Sequence, residues 1–168
     1  SGHPRLVVNE AGFADLKKKI SSPEGEYDIL KQIHGEVIRH AGQYLSKNVP
    51  IKHQLEGKRM LSQSRNALMQ IFSYAYVYKT TGDETYGQKG REILLNVCSF
   101  SDWNPSHFLD TGEMALAVSI GYDWVYDCLN KEDKTLILNA LKTLALEPSI
   151  GSGFRHNRGN WNSVCYCG

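Results

Sequence analysis

The stretch "NALMQIFSYAYVYKTTGDETYGQKGREILLNVC", residues 66–98, decides the fold class of this chain. Its apolar residues recur at three- and four-residue spacing on both sides of "TTGDETYG", and strand-like alternation is nearly absent. Gly82 suits the carboxyl-terminal cap of one helix, and Asp83 suits the amino-terminal cap of the next. The stretch therefore predicts two helices joined by a tight turn. The first, about residues 60–79, is apolar enough to be buried on several sides.

The same spacing continues in both directions and predicts about six helices. Asn9 can cap a short first helix, and Ser22-Pro23 is typical of the start of a second. The apolar residues of the second helix are expected to face inward: Tyr27, Leu30, Ile33, Val37, Ile38, Ala41 and Leu45. The rhythm predicts a single all-α domain over residues 1–168. Bundles, stacked helical repeats and (α/α) toroids all produce it, although no fixed repeat period is present.

Two pairs of carboxylates stand at helical spacing. Asp110 and Glu113 have the spacing of a capping box, which predicts that a helix opens at Asp110 or Thr111. Asp123 and Asp127 lie one helical turn apart and are expected to bond loops or to face solvent. A glycosidase pair is the less favoured interpretation of either set.

Composition excludes several classes of function. The chain has 19 basic and 18 acidic residues, a net charge of +1, so no general field attracts nucleic acid or an anionic membrane. Its apolar runs are too short for a membrane span. The histidines show no metal-ligand spacing, and the pair Cys165 and Cys167 has no second pair, so no metal or cofactor is expected. The opening Ser1-Gly2 resembles the remnant of an expression tag, so any export signal is expected to be missing.

Three segments resemble one family. They are "HPRLVVNEAGFADLKKKI" (residues 3–20), "LDTGEMALAVSIGYDWVYDCL" (109–129) and "NRGNWNSVC" (157–165), and they follow one another in the family's order. The chain thereby resembles the heparinase II/III-like polysaccharide lyases. That resemblance implies the first part of an (α/α) toroid built of antiparallel helix hairpins, with the rest of the toroid and a β-sandwich downstream. The ending "VCYCG" departs from the family's usual "VCNGG", whose Asn-Gly-Gly turn is more permissive than Tyr-Cys-Gly.

The resemblance also implies a chemistry, an acidic polysaccharide substrate and an exported bacterial protein, periplasmic or secreted. Removing the proton next to a uronate carboxylate needs a neutraliser for that carboxylate, a base and an acid. Asn160 is the first candidate for neutraliser, and His156 for base or second donor. The remaining candidate substrate contacts are Asn162, Trp161, Arg155, Arg158 and Trp103. The family's catalytic Tyr and second His are expected beyond Gly168, so this chain alone is expected to lack activity.

Simpler interpretations of the closing segment stay open. Asn160 or Asn162 can cap a following helix, and Trp161 can be a packing residue. Arg155 and Arg158 can be solvated loop charges, and His156 can be an ordinary loop histidine. Two other functions are also open: an (α/α)-toroid glycoside hydrolase, which needs two carboxylates across a cleft, and a helical scaffold that binds proteins. A homodimer that covers an exposed apolar face is a further alternative.

Overall fold

Helix α3, Leu61–Thr81, lies at the centre of the structure, a computed structural model that describes residues 2–150. It contacts the helix before it and the two helices after it. Side chains on several of its sides are buried, among them Ala67, Ile71, Tyr74 and Val77. The prediction of a helix buried on several sides is therefore confirmed.

The other elements are helical as well. They are α1 (Glu10–Ile20), α2 (Asp28–Lys47), α4 (Glu84–Cys98), α5 (Phe108–Trp124), α6 (Lys131–Ala140) and α7 (Glu147–Ile150), with 3₁₀ turns at Gly25–Tyr27, Pro105–His107 and Tyr126–Cys128. A π-helical turn, Leu141–Leu146, joins α6 to α7. Residues 2–150 contain no β-strand, only an isolated bridge between Glu56 and Arg59. The all-helical class is confirmed. Within the same residues, no helix combines the length and apolarity needed to cross a membrane.

The turn between α3 and α4 forms as its residues predict. Gly82 adopts φ +76°, a left-handed conformation that costs glycine little, and its N–H donates to the carbonyl of Tyr78. Asp83 then caps α4 by accepting the N–H of Thr85 at 2.9 Å. Asn9 likewise caps α1 by accepting the N–H of Gly12 at 2.9 Å. These local signals fix the direction of the chain at the centre of the fold.

Helix α5 packs into the groove between α3 and α4 through a glycine. A β-carbon at Gly121 would lie 2.6 Å from a methyl of Ile71 on α3 and 2.8 Å from one of Leu94 on α4. Because protein interiors are close-packed, the three helices approach this closely only where that side chain is absent. The buried core lies mainly on these helices.

Helix α2 differs from its prediction. It begins at Asp28, after a 3₁₀ turn, rather than directly after Ser22-Pro23. Ile33, expected to face inward, is 57% exposed, and Ala41 is the buried residue of this helix. The helix lies at the edge of the structure, where its described contacts are with α1, α3 and the preceding turn. Only one face of α2 is therefore covered by other helices. The apolar residues predicted to face inward cannot all point to that one face.

Hydrogen bonds join a segment near the amino terminus to the carboxyl-terminal end of α5. The carboxylate of Asp123 accepts the backbone N–H groups of Arg5 and Leu6, both at 2.7 Å, and bonds the imidazole of His3. The indole N–H of Trp124 donates to the carbonyl of Leu6 at 3.0 Å. Asp123 thus bonds a loop, as one of its two interpretations expected, whereas Asp127 is exposed.

Candidate functional site

The amino-terminal ends of α3 and α5 meet at one end of the structure. Helix α4 connects α3 to α5 and runs antiparallel to both, which brings the segment before α3 beside the segment before α5. The contact is direct, because the N–H of Met60 donates to the carboxylate of Asp110 at 2.6 Å across 50 residues of chain. Polar side chains from both segments collect there.

Five of these side chains form a connected group, which we call the loop cluster: His53, Asp102, Asn104, His107 and Asp110. Asp110 lies at its base and is fully buried. One of its carboxylate oxygens accepts the side-chain amide of Asn104 at 2.7 Å, and the other bonds Nδ1 of His107 at 2.9 Å. A buried carboxylate is tolerated here because three donors satisfy it.

Asn104 joins the two halves of the loop cluster. It adopts φ +55°, a left-handed conformation that asparagine accepts more readily than most residues. In this conformation its backbone N–H donates to Asp102 at 2.8 Å while its side-chain amide reaches Asp110. The amide also donates to the carbonyl of Lys58 at 2.9 Å, which holds the segment before α3 in place.

The second imidazole is held by Asp102. Nε2 of His53 lies 3.1 Å from the Asp102 carboxylate, and its ring meets Phe100 edge-on at 5.6 Å between ring centres. Partial burial opposes ionisation of Asp102, but hydrogen bonds from His53 and from the N–H of Asn104 outweigh it and lower the pKa of this carboxyl. Asp102 therefore presents a carboxylate that orients His53.

The loop cluster thus holds two imidazoles, each bonded to a carboxylate through one ring nitrogen. The side chains of His53 and His107 are 31% and 25% exposed, so solvent reaches both rings. Within residues 2–150, no hydrogen bond engages Nδ1 of His53 or Nε2 of His107. A carboxylate-oriented imidazole with a free nitrogen can accept a proton, donate one, or hydrogen-bond a ligand.

Sequence patterns misassigned two residues of this region. The capping box at Asp110 and Glu113 is wrong: α5 begins at Phe108, and Asp110 bonds groups outside its own helix turn. Glu113 is also buried and bonds Ser64 and Arg65 on α3. The spacing of three residues is the same for a box and for two side chains that face a neighbouring helix, so spacing alone does not separate them.

Trp103 is a core residue in this structure. Its side chain is fully buried, and its indole N–H donates to the carbonyl of Val97 at 2.9 Å. The carbonyl of Trp103 also accepts the hydroxyl of Thr111 at 2.7 Å. A sugar face needs an exposed ring, so the expected stacking role of Trp103 is corrected to packing.

The other candidate residues lie outside the described residues 2–150. They are Arg155, His156, Arg158, Asn160, Trp161 and Asn162, together with Cys165 and Cys167. The loop cluster itself was not predicted as a site, although the unusual loop "SDWNPSH" supplied three of its members. His53 joins it only through a long-range contact with Asp102, whereas Asp110 joins it through its bonds to Asn104 and His107. Among residues 2–150 no three His, Cys, Asp or Glu side chains are grouped in a way that could hold a metal ion.

Comparison with known proteins does not assign a family: no protein-family model matches this chain, and no curated protein is detectably similar to it.

Proposed function

We propose that this chain is the amino-terminal part of an (α/α) toroid in a polysaccharide lyase. The substrate would be an acidic, uronate-containing polysaccharide, cleaved by β-elimination. The observation that carries the proposal is the loop cluster, which places two carboxylate-oriented imidazoles at the end where two interhelical segments meet. Loops gathered at one end of antiparallel helix hairpins are where a toroid would form its cleft.

The reaction assigns a task to each candidate residue between positions 155 and 162. A base takes the proton from the carbon next to the uronate carboxylate, and the electron pair forms a carbon–carbon double bond. The bond to the glycosidic oxygen at the next carbon breaks, and an acid protonates that oxygen. In this proposal His156 is the base and Asn160 bonds the carboxylate, which lowers the cost of the doubly charged intermediate. Asn162, Trp161, Arg155 and Arg158 would hold neighbouring sugars.

The path of the described chain as far as residue 150 supports the proposal. Helix α6 begins beside the carboxyl-terminal end of α5, where Lys134 lies 3.7 Å from the ring centre of Tyr126. The π-helical turn, 141–146, still contacts α5, although it comes about ten residues and roughly 15 Å of helix later. A helix that stays in contact over that distance runs back along α5 toward its amino-terminal end. That direction leads toward the end of α5 at which the loop cluster lies.

The hydrolase alternative receives less support from the carboxylates that the sequence offered for it. Asp110 and Glu113 are buried and bonded to side chains of the fold, and Asp123 is bonded to the amino-terminal segment. None of the three is free to act on a sugar. Asp127, the fourth of these carboxylates, is exposed but has no free partner among them. For the scaffold alternative, no observation on the described residues favours a protein partner.

Titration calorimetry with a matched pair of ligands tests the proposal. One ligand is a glucuronate-containing tetrasaccharide, and the other is the same tetrasaccharide with its carboxyl groups reduced to alcohols. We expect the acidic form to bind at least about tenfold more tightly, since a hydrogen bond to a charged group contributes roughly 1.5–3 kcal/mol. Asn160→Ala should remove most of that difference, whereas Asn139→Ala, an exposed amide on α6, should preserve it.

Equal binding of the two tetrasaccharides, or equal effects of the two substitutions, would rule the proposal out. In the full-length protein the product separates lyase from hydrolase. A lyase forms a new carbon–carbon double bond, which raises the ultraviolet absorbance. A hydrolase forms a saturated product, which leaves the absorbance unchanged.

A further inference from the structure

Two arginine side chains line a pocket next to the loop cluster. The pocket, which we call the two-arginine pocket, has a volume of about 280 Å³ and is lined by Glu56, Arg59, Leu61, Ser62 and Arg65. It lies where the segment before α3 turns into the helix. Its connection to the loop cluster runs through Glu113, which follows Asp110 by one turn of α5.

Arg65 is held in place by a buried carboxylate. Its Nε lies 3.2 Å from Glu113, whose side chain is only 3% exposed, while the arginine side chain is 59% exposed. The hydroxyl of Ser64 donates to the other oxygen of Glu113 at 3.4 Å. Because the carboxylate engages Nε, the terminal amino groups of the guanidinium stay available, and no hydrogen bond to residues 2–150 uses them.

Arg59 reaches the same pocket from a tight turn. Glu56 and Arg59 exchange two backbone hydrogen bonds, at 2.7 and 3.2 Å, around Gly57 at φ +64°. Within the described residues the Arg59 guanidinium has no ion pair and no hydrogen bond. Glu56, the one acidic residue of the pocket wall, bonds the hydroxyl of Ser62 at 2.8 Å. The wall therefore presents the unpaired guanidinium of Arg59 and the terminal amino groups of Arg65, whose charge is already paired with Glu113, beside the carboxylate of Glu56.

The start of α3 favours the same kind of ligand. No side chain in the described part of the chain caps this helix, and its first turn contains no acidic residue. The first N–H groups of a helix and its dipole attract negative charge, which here adds to the two arginines. We propose that the two-arginine pocket binds a tetrahedral oxyanion, the sulfate or phosphate ester of a larger ligand. That the larger ligand is a glycan rests on the proposed function; the anion site does not.

The first experiment titrates the protein with inorganic sulfate or inorganic phosphate. Binding is monitored by the chemical shifts of the backbone amides in NMR spectra. We expect the shifts of Leu61 and Ser62 to saturate, and Arg59→Gln to weaken binding about tenfold, as removal of a charge-assisted hydrogen bond does. Arg39→Gln is the matched control, because Arg39 is an exposed arginine on α2 paired with Glu36. Since Arg59 has no partner in the described residues, its substitution should leave folding intact; Arg65→Gln serves as a second variant.

The second experiment compares a sulfated tetrasaccharide with its desulfated form by calorimetry. Tighter binding of the sulfated form that Arg59→Gln removes and Arg39→Gln preserves would support the pocket. Saturable ion binding with no preference for the sulfated form would support the anion site and rule out a sulfate ester of this tetrasaccharide as its ligand. A third outcome separates the two proposals. If neither tetrasaccharide binds, but sulfate and phosphate bind and Arg59→Gln weakens that ion binding, the pocket stands and the proposed function fails. Equal ion binding by Arg59→Gln and Arg39→Gln overturns the pocket.

Discussion

Replacing Asp123 by alanine should test how strongly the amino-terminal segment is held to α5. The carboxylate accepts two backbone N–H groups, from Arg5 and Leu6, and bonds His3. Each hydrogen bond from a backbone N–H to a charged group contributes about 1.5–3 kcal/mol, so the two backbone bonds together contribute about 3–6 kcal/mol. In the variant, the segment can separate from α5 and expose its N–H groups to water, which favours the lower end. We therefore expect a loss of about 3 kcal/mol in the free energy of unfolding.

Urea unfolding monitored by circular dichroism measures this loss. For a chain of this size, about 3 kcal/mol corresponds to a melting temperature lower by roughly 6–12 °C. Asp127→Ala is the matched control, because Asp127 is an exposed carboxylate four residues later, and it should change the free energy by less than about 0.5 kcal/mol. If the two variants unfold alike, the carboxylate of Asp123 does not hold the segment.

The pH dependence gives an independent test of the same carboxylate. Burial opposes ionisation of Asp123, but hydrogen bonds from Leu6, His3 and Arg5 outweigh it and lower its pKa below the ordinary 3.8. A depressed pKa contributes stability that is present above the unfolded value and is lost as the pH falls through the folded value. The difference between wild type and Asp123→Ala should therefore be full above about pH 5 and shrink in acid. A difference that grows as the pH falls would contradict this assignment.

Two further substitutions probe the packing of the core by the same unfolding assay. The hydroxyl of Tyr74 is buried and has no hydrogen-bond partner among residues 2–150, and burial raises the pKa of this tyrosine to about 12. Tyr74→Phe should therefore be neutral or stabilising by up to about 1 kcal/mol, whereas Tyr76→Phe, which loses a 2.9 Å bond to His34, should cost about 1 kcal/mol. A clear loss for Tyr74→Phe would mean that its hydroxyl is satisfied. Gly121→Ala should cost about 1–3 kcal/mol because its β-carbon would overlap Ile71, while Gly35→Ala, in open space on α2, should be neutral or stabilising by about 0.5–1 kcal/mol. Equal stability of these two alanine variants would refute the close approach of α5.

The parts of the fold that sequence predicts well depend on interactions within a few residues. Gly82 and Asp83 cap their helices with backbone groups two to four residues away, so the α3–α4 turn follows from local chemistry. The same holds for Asn9 at the start of α1. Periodicity also predicts the burial of α3, because its apolar residues surround the helix. Each of these features needs no knowledge of distant segments.

The candidate site depends on distant segments and is therefore harder to predict. Asp110 bonds Met60, fifty residues earlier, and that contact exists only because α4 returns the chain to the same end. An actual capping box occurs instead at Asn130 and Asp133, where both reciprocal bonds are present. The two pairs have identical spacing, and only their surroundings distinguish them. Trp103 shows the same limit, since the stacking role expected for it ignored the acceptor that Val97 provides inside the core.

The π-helical turn at 141–146 changes the rotation of the residues that follow α6 about the helix axis. An α-helix turns about 100° per residue, so the additional residue in a wider turn rotates everything after it about the helix axis. Deleting one residue there would restore ordinary α-helical winding and turn Glu147–Ile150 by about that angle. The rotational setting of Glu147–Ile150 about the helix axis thus depends on a single inserted residue.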